Sequence, residues 1–285
     1  MVADVGVLGL RLRTSGDWVE LQQRMSQGET LTPVLPLGDQ AGLVWLPKNG
    51  CTSLKRAWLQ LHGVALEQLP KDVHGAVLAH TIWLRSEELA SFAENRMLLA
   101  FWRDPIDRFV SACRSHLSEL TTGSIHAKFQ AVAKGDHHVL SESLAFHDAL
   151  FASHRVCSFD DDADPVAVMN AVAVQLSAWV RCHLDWSHHT LPQVCFLGTN
   201  PFTYQRIFGM EQMNAVLQNW SDASGIVLDP IPQHVSSSLQ QADPWRRLHR
   251  VDLSEDALQS LTHFYAADWL FLKRSQLGEE QQQWA

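Results

Sequence analysis

The chain has 285 residues, 46% of them hydrophobic, with 22 Lys and Arg against 31 Asp and Glu and a formal net charge of −9 at pH 7. The length suits one large α/β domain or two small ones, and the apolar content excludes a wholly disordered chain. The negative charge disfavours nucleic acid and anionic membranes as partners, so an anionic ligand requires a local concentration of donors.

Cysteine usage and the lack of long apolar runs indicate the class of protein. The five cysteines are widely spread and form no CxxC pair, so we expect neither a disulfide framework nor a zinc ribbon, and a reducing compartment is the simpler interpretation. No run of 18 apolar residues occurs and no basic region precedes the first apolar residues, which predicts neither a secretion signal nor a membrane anchor. We expect a soluble, cytoplasmic protein, and the sequence leaves its oligomeric state open.

Two strand–loop–helix units are predicted in the first half of the chain. Residues 1–40 are mixed, are broken by two prolines, and predict an irregular leader. A short apolar run over 43–46 is typical of a buried parallel strand, and a loop and a helix follow it. The pattern returns at 97–102, after which Asp104 and Pro105 are suited to begin a helix.

The second half of the chain predicts more elements of the same kind. A buried strand is expected at 194–197, and helices are expected near 165–183, 210–220 and 253–272. Strands that alternate with helices of this length predict an α/β fold with a central parallel sheet of about five strands. We expect helices on both faces of that sheet and ligands at the carboxyl ends of its strands.

One main domain over residues 41–272 is therefore predicted. Residues 121–164 show no strong period, and we expect them to form an insertion on the substrate side. Residues 273–285 are expected to form a polar tail.

The loop after the first predicted strand is suited to hold an anion. A glycine lets backbone N–H groups turn inward, hydroxyls add donors, and the helix N-terminus adds the positive end of its dipole. Lys48 comes just after the strand, where its ammonium can reach a bridging or terminal oxygen, and residues 47–58 include no Asp or Glu. The predicted ligand contacts are Lys48, Asn49, Gly50, Cys51, Thr52 and Ser53.

Two other kinds of phosphate loop do not match this segment. A Walker A loop needs GxxxxGK[ST], whereas here Lys48 precedes Gly50 and no GK[ST] occurs. A phosphatase-type cysteine loop has five residues between its cysteine and its arginine, whereas Cys51 and Arg56 are separated by four.

The order that does match is Pro-Lys-x-Gly-x-Thr-Ser directly after a strand, from Pro47 to Ser53. It resembles the 5′-phosphosulfate loop of the sulfotransferases that use 3′-phosphoadenosine 5′-phosphosulfate (PAPS). The form Pro-Lys-x-Gly-Cys-Thr followed by Lys-Arg is similar to the carbohydrate branch of that superfamily, which includes the chondroitin-type enzymes. For this loop alone, an ordinary strand–turn–helix with a solvated lysine is the alternative.

The segment 102–114 carries a stronger resemblance. From Arg103 onward it has the order Arg-Asp-Pro-x-x-Arg-x-x-Ser-Ala-x-Arg, which resembles the 3′-phosphate motif of the same family. In that family an arginine at the strand end and a serine eight residues later hold the 3′-phosphate, which implies this role for Arg103 and Ser111. Guanidinium suits the role because it makes two-pronged, charge-assisted contacts with phosphate. Arg108 and Arg114 can instead be structural.

Weaker similarity to the carbohydrate branch continues at 189–193, 204–211 and 264–271, so the resemblance covers roughly 41–272. It implies a P-loop-like nucleotide-binding architecture, PAPS as the donor and 3′-phosphoadenosine 5′-phosphate as the product. It also implies a hydroxyl-bearing acceptor, which in this branch is a saccharide. The Arg-Lys-Gly segment of the cytosolic small-molecule sulfotransferases is absent, and no metal is expected to be needed.

The general base is predicted from position. Histidine is the natural base near neutral pH, and the chain has 15. Across much of the superfamily the catalytic histidine lies a little over twenty residues before the arginine of the second loop. His80 precedes Arg103 by 23 residues, which favours His80 as the base. His74 and His189 remain alternatives.

These resemblances imply in-line sulfuryl transfer from PAPS to a hydroxyl group, with Lys48 at the leaving phosphate and His80 as the base. A P-loop-like kinase is one alternative, although it needs the missing GK[ST]. A non-catalytic nucleotide or glycan binder is another. The acidic turn at 160–164 lacks the glycine and glutamate of an EF-hand, so we expect no metal site there.

Overall fold

The computed structural model describes residues 15–70, 72–121, 159–182, 184–228 and 243–282. Its strands are β1 (Leu31–Leu37), β2 (Ala41–Val44), β3 (Ile82–Arg85), β4 (Met97–Trp102) and β5 (Arg206–Gly209). They form one sheet in the order β3-β1-β2-β4-β5. β2, β4 and β5 are parallel neighbours, whereas β1 is antiparallel to β2 and β3. The predicted α/β fold with five strands is confirmed, and the sheet is mixed because β1 runs against its neighbours.

Helices flank this sheet, and each of the two predicted loops leads from a parallel strand into one of them. The helix after the second loop begins where the sequence predicts, because the Asp104 side chain accepts the N–H groups of Ile106 and Asp107 over 2.9 and 3.0 Å. The α-helices are α1 (Ser15–Ser26), α2 (Cys51–Leu61), α3 (Val73–Leu78), α4 (Ser86–Asn95), α5 (Pro105–His116), α6 (Pro165–Val174), α7 (Leu176–Cys182), α8 (Leu184–Thr190), α9 (Val194–Leu197), α10 (Met213–Ser224), α11 (Glu255–Phe264) and α12 (Ala266–Gln282).

The prediction of an irregular leader over 1–40 is wrong for its described part, which contains α1 and β1. The two prolines argued against a strand because proline cannot donate to a sheet ladder. The carbonyl groups of both prolines nonetheless accept hydrogen bonds. The Pro33 carbonyl accepts the Trp45 N–H over 3.2 Å, and the Pro36 carbonyl accepts the Trp58 indole N–H over 2.7 Å. The domain therefore begins before residue 41.

Residues 194–197 form the helix α9, so the strand predicted there is wrong. A four-residue apolar run cannot distinguish a buried strand from a buried helical turn. The turn is selected by Asp268, whose carboxylate accepts the N–H groups of Gln193 and Val194 over 2.9 and 3.0 Å. The strand beside β4 is β5 (Arg206–Gly209). It begins with an arginine and ends with a glycine, so no continuous apolar run marks it in the sequence.

Other boundaries differ from the predicted ones. The helix expected near 165–183 is divided into α6 and α7, and α12 extends through the predicted tail as far as Gln282. Residues 122–158, which make up most of the predicted insertion, lie outside the described residues. Thr121 and Phe159, at the two sides of that gap, pair in a parallel β-bridge.

Among the described residues, no helix is long and apolar enough to cross a bilayer.

Candidate functional site

The loop between β2 and α2 contains two residues in the left-handed conformation, Lys48 (φ 66°) and Gly50 (φ 67°). Glycine adopts this conformation without penalty, and a Cβ at Gly50 would come within 2.6 Å of the Met213 side chain. For Lys48 the conformation costs about 1–2 kcal/mol, and such strain is found at functional sites. At Lys48 the loop is therefore held in a conformation that this residue type does not favour.

The helix α2 begins directly after this loop and leaves its N-terminus available to an anion. Its first turn contains no acidic residue, so no carboxylate within it offsets the positive end of the helix dipole. The Thr52 side chain is exposed, and Cys51 and Ser53 are partly buried. The predicted contacts at 50–53 are thus brought to one open helix end, as an anion site requires.

Asn49 has a different role from the predicted one. It is fully buried, and its side-chain amide donates to the carbonyl oxygen of Phe101 over 2.8 Å and to Oε1 of Gln193 over 2.6 Å. Its backbone N–H donates to the Leu46 carbonyl over 3.2 Å. Because these donors are used inside the protein, Asn49 shapes the loop and its N–H groups are not directed at a ligand.

Lys48 is the cation of this loop. The pKa of its ammonium is lowered to about 8, mainly by burial. Cys51 and Glu119 oppose this shift, and the nearby Arg103 and Arg108 add to it. Most Lys48 side chains are therefore charged at pH 7. A charged amine with part of its hydration removed interacts more strongly with a phosphate than a fully solvated one does.

Arg103 lies at the end of β4 and connects the two predicted loops. Its Nη1 donates to the carbonyl oxygen of Lys48 over 2.8 Å, so the first loop is bonded to the side chain that begins the second loop. Ser111 lies within α5 and is partly buried. The two residues that the motif predicts at the 3′-phosphate thus lie on the strand–helix unit adjacent to the Lys48 loop.

The other arginines of the second motif are structural, as the alternative interpretation allowed. Arg108 is fully buried and donates to the carbonyl oxygens of Pro47, Leu191 and His188 over 2.9, 2.5 and 3.3 Å. Arg108 therefore fixes the position of Pro47, the residue directly before Lys48.

Arg114 forms hydrogen bonds from α5 to the segment before α11. Its Nε donates to the carbonyl oxygen of Leu248, and its Nη2 lies 2.9 Å from Nδ1 of His249. At the start of the same helix, Arg250 pairs with Asp104 and Asp107 over 3.1 and 3.4 Å. These contacts connect α5 to the segment before α11.

The buried side chain of Gln193 forms hydrogen bonds to both loops. The sequence motif did not indicate this role. Its Oε1 accepts from Asn49, and it also accepts the backbone N–H of Arg103 over 3.3 Å. Its Nε2 donates to the Arg103 carbonyl over 2.8 Å. The only sequence signal was its place in the segment 189–193, because its partners lie 144 and 90 positions away.

His74 lies beside the open end of α2. Its Nε2 is 3.1 Å from the Thr52 hydroxyl, and its Nδ1 is 3.1 Å from the ammonium of Lys55. Lys55 is buried, and its Nζ lies 3.3 Å from the centre of a Trp45 ring, where a cation is stabilised by the aromatic face. Burial lowers the pKa of Lys55 to about 8. Loss of solvation, together with the Lys55 charge, lowers the pKa of His74 to about 4, so its ring is neutral at pH 7.

His80, the predicted base, lies beyond the other end of α3. Its side chain is exposed, and its ring lies 5.2 Å from the ring of Trp58, in the second half of α2. His74 is the second residue of α3, whereas His80 lies two residues beyond the last residue of this helix. Of these two histidines, His74 is the one that contacts the open end of α2.

His189, the third candidate, lies between two other histidine rings, stacked on His116 and tilted against His188. Its centroid lies 4.0 Å from that of His116 and 3.7 Å from that of His188. Burial lowers the pKa values of His188 and His189 well below their ordinary range, so both are neutral near pH 7. Nδ1 of His189 is buried without a hydrogen-bond partner among the described residues.

A cleft of about 440 Å³ opens beside Arg103, at the carboxyl ends of β4 and β5. Its lining is mixed in character. The apolar part includes Trp102, Met210 and Leu272, and the polar part includes Arg103, Gln212 and the acidic residues Asp104, Asp107 and Glu211. No group of three or more His, Cys, Asp or Glu side chains suited to a metal ion occurs among the residues that the structure describes.

Comparison with known proteins identifies a family. The sequence model of the sulfotransferase family matches residues 42–273, a span that includes both loops, His74, Gln193 and Asp268. Searches of the curated proteins and of the solved structures gave no match.

Proposed function

The chain belongs to the sulfotransferase family, and from this premise we propose that it transfers the sulfuryl group of PAPS to a hydroxyl group of a saccharide. The observation that carries the proposal is the bond between Arg103 Nη1 and the Lys48 carbonyl. It brings together the loop that resembles a 5′-phosphosulfate site and the loop that resembles a 3′-phosphate site. A donor with phosphates at both ends of its ribose can contact both loops at once.

Lys48 is the proposed electrostatic catalyst. In the transfer, a bond forms between the acceptor oxygen and sulfur while the bond from sulfur to the bridging phosphate oxygen breaks. Negative charge develops on that bridging oxygen, and the Lys48 ammonium together with the N–H groups at the start of α2 can stabilise it. The leaving group is 3′-phosphoadenosine 5′-phosphate, which departs without a proton.

A general base must take the proton from the hydroxyl group that receives the sulfuryl group. For this role the proposal favours His74 over His80. His74 contacts Thr52 at the helix end where the sulfuryl group would be held, whereas His80 packs on Trp58. When Lys55 is charged it donates to Nδ1 of His74, so the ring hydrogen is on Nε2 and the ring donates to Thr52. When Lys55 is neutral, Nδ1 can donate to the amine, and Nε2 becomes free to accept a proton.

The cleft beside Arg103 is the proposed site of the adenine. It adjoins the residue proposed to contact the 3′-phosphate. Its lining combines Trp102 and Leu272 with Gln212 and with the acidic residues Asp104, Asp107 and Glu211. Met210→Trp would fill this space. We expect it to weaken nucleotide binding by about tenfold or more, and normal affinity would place the adenine elsewhere.

Transfer of labelled sulfate tests the proposed function. The protein is incubated with PAPS labelled at sulfur and a panel of saccharides, and the label is followed into the acceptor while 3′-phosphoadenosine 5′-phosphate is measured. Equal amounts of both products support the proposal. Transfer of label from [γ-³²P]ATP instead would favour a kinase. Nucleotide binding without product from any acceptor would favour a non-catalytic binder.

A further inference from the structure

The buried side chain of Gln193 forms a bridge between the two donor loops. Gln193 is fully buried at the start of α9. Its Oε1 accepts from Nδ2 of Asn49 over 2.6 Å and from the Arg103 N–H over 3.3 Å, and its Nε2 donates to the Arg103 carbonyl over 2.8 Å. One neutral amide thus bonds to the centre of the first loop and to both polar backbone groups of Arg103.

The orientation of this amide is determined by its partners. The backbone N–H of Arg103 can only donate and its carbonyl can only accept, so Oε1 must face the former and Nε2 the latter. Asn49 then has to present its NH₂ group to Gln193, as it does to Phe101. Reversal of either amide would bring like groups together in a buried site, at a cost typical of unsatisfied polar groups.

The bridge is anchored to the rest of the fold on the other side. The Asp268 carboxylate on α12 is fully buried and holds the backbone N–H groups of Gln193 and Val194. Arg108 binds the Leu191 carbonyl two residues earlier. The backbone of Gln193 is therefore held at a defined position, from which its side chain sets the distance between the loops.

We propose that Gln193 is a positioning residue that couples the 5′-phosphosulfate loop to the 3′-phosphate loop, so that the donor's two phosphate groups are held at their required separation. This inference rests on the proposed function. Asn49 lies between the two left-handed residues Lys48 and Gly50, so a change in its position moves the backbone of the anion site. Arg103 is bonded to the same amide, so its guanidinium depends on the same contact.

The test uses two nucleotides and three proteins. Calorimetry measures the affinity of 3′-phosphoadenosine 5′-phosphate and of adenosine 5′-phosphate for the wild type, Gln193→Glu and Gln193→Met. Glutamate retains an acceptor for Asn49 but presents an oxygen to the Arg103 carbonyl, whereas methionine has a similar length and removes all three bonds. We expect each variant to lose about tenfold or more of the wild-type preference for the 3′-phosphorylated nucleotide.

Tyr204→Phe is the matched control. It removes another buried hydrogen bond at the far end of α9, from the Tyr204 hydroxyl to the Leu197 carbonyl over 2.7 Å, and this bond reaches neither loop. Its preference for the 3′-phosphate should equal that of the wild type. An unchanged preference in both Gln193 variants would overturn the inference, as would an equal loss in Tyr204→Phe.

The outcomes separate this inference from the proposed function. A wild-type protein that binds neither nucleotide would contradict the proposed function itself. A wild type that prefers the 3′-phosphate, together with Gln193 variants that keep this preference, would contradict only the coupling role. Should the variants not fold, hydrogen exchange of the wild type decides. The Arg103 amide must exchange as slowly as those of β4, and rapid exchange would overturn the bridge.

Discussion

The guanidinium of Arg103 donates to the carbonyl oxygen of Lys48 over 2.8 Å, so the residue proposed to hold the donor's 3′-phosphate also holds the loop that carries the proposed catalytic lysine. A substitution at Arg103 is therefore expected to disturb both ends of the donor. A substitution of the Lys48 side chain leaves its carbonyl in place and should affect one end only. This asymmetry allows the two roles to be measured separately.

Lys48→Ala is expected to reduce kcat by about a hundredfold or more while weakening binding of 3′-phosphoadenosine 5′-phosphate only in part. The physical reason is that its charge matters most when negative charge develops on the leaving oxygen. Single-turnover kinetics and calorimetry give the two quantities. Lys48→Arg, which keeps the charge, should retain more activity than Lys48→Ala. A near-normal kcat in Lys48→Ala would refute the assigned role.

Arg103→Ala and Ser111→Ala are expected to weaken nucleotide binding through the 3′-phosphate. Loss of a hydrogen bond to a charged group costs about 1.5–3 kcal/mol. Arg103→Ala should have the larger effect, because a guanidinium can donate two such bonds and carries a charge of its own, whereas a hydroxyl donates one. Calorimetry with the nucleotide that carries or lacks the 3′-phosphate measures the difference. If Arg103→Ala keeps the wild-type preference, the 3′-phosphate is bound elsewhere.

The two loops could be predicted because their information is local. Asp104 and Pro105 begin α5 within the same segment that carries Arg103, and the lack of acidic residues in 47–58 is visible in the sequence. The inward orientation of Asn49 could not be predicted, because it depends on Gln193, 144 positions away. Local propensity was also misleading at β1, where the carbonyl groups of both prolines accept hydrogen bonds from Trp45 and Trp58.

The choice among histidines shows the same limit. Spacing from Arg103 favours His80, but His74 lies in the first turn of α3 and His80 lies beyond the end of this helix. Which of them contacts Thr52 depends on how α3 packs on α2, and the sequence contains no local signal for that packing.

Arg108→Met is expected to destabilise the fold by about 3 kcal/mol or more. The carbonyl oxygens of Pro47, Leu191 and His188 would lose their buried donor, and each unsatisfied group costs about 1–3 kcal/mol. Urea denaturation followed by tryptophan fluorescence measures the loss. Arg250→Met is the control, because it removes an exposed cation paired with Asp104 and Asp107, and such pairs contribute about 0–1 kcal/mol. Equal losses in both variants would contradict the structural role of Arg108.

His74→Ala is expected to lower kcat by about a hundredfold or more while leaving donor affinity within a few-fold, the usual scale for a lost general base. His80→Ala should retain near-normal kcat, because its ring packs on Trp58 rather than on the open end of α2. His189→Ala tests the third candidate base. Steady-state kinetics with one verified acceptor compares the three variants. If the large loss occurs in His80→Ala instead, the base predicted from spacing is the correct one and the role proposed for His74 is wrong.

The pH dependence of kcat/KM tests the pairing of His74 with Lys55. Burial lowers the pKa values of Lys55 and Lys48 to about 8, and the proposal requires Lys55 to be neutral and Lys48 to be charged. As pH rises through 8, loss of the Lys55 proton should increase the rate and loss of the Lys48 proton should decrease it. The profile for the free enzyme should therefore be bell-shaped, with its maximum near pH 8.

Two variants assign the limbs of this profile. Lys55→Met removes the cation that occupies Nδ1 of His74, so the acidic limb should move to lower pH, towards the pKa of the imidazole, which lies at about 4 in the wild type. Lys48→Arg keeps its charge throughout the accessible range, so the alkaline limb should disappear. An acidic limb that stays in place in Lys55→Met would show that Lys55 does not control the base. The same limb lost in His80→Ala would assign it to that histidine instead.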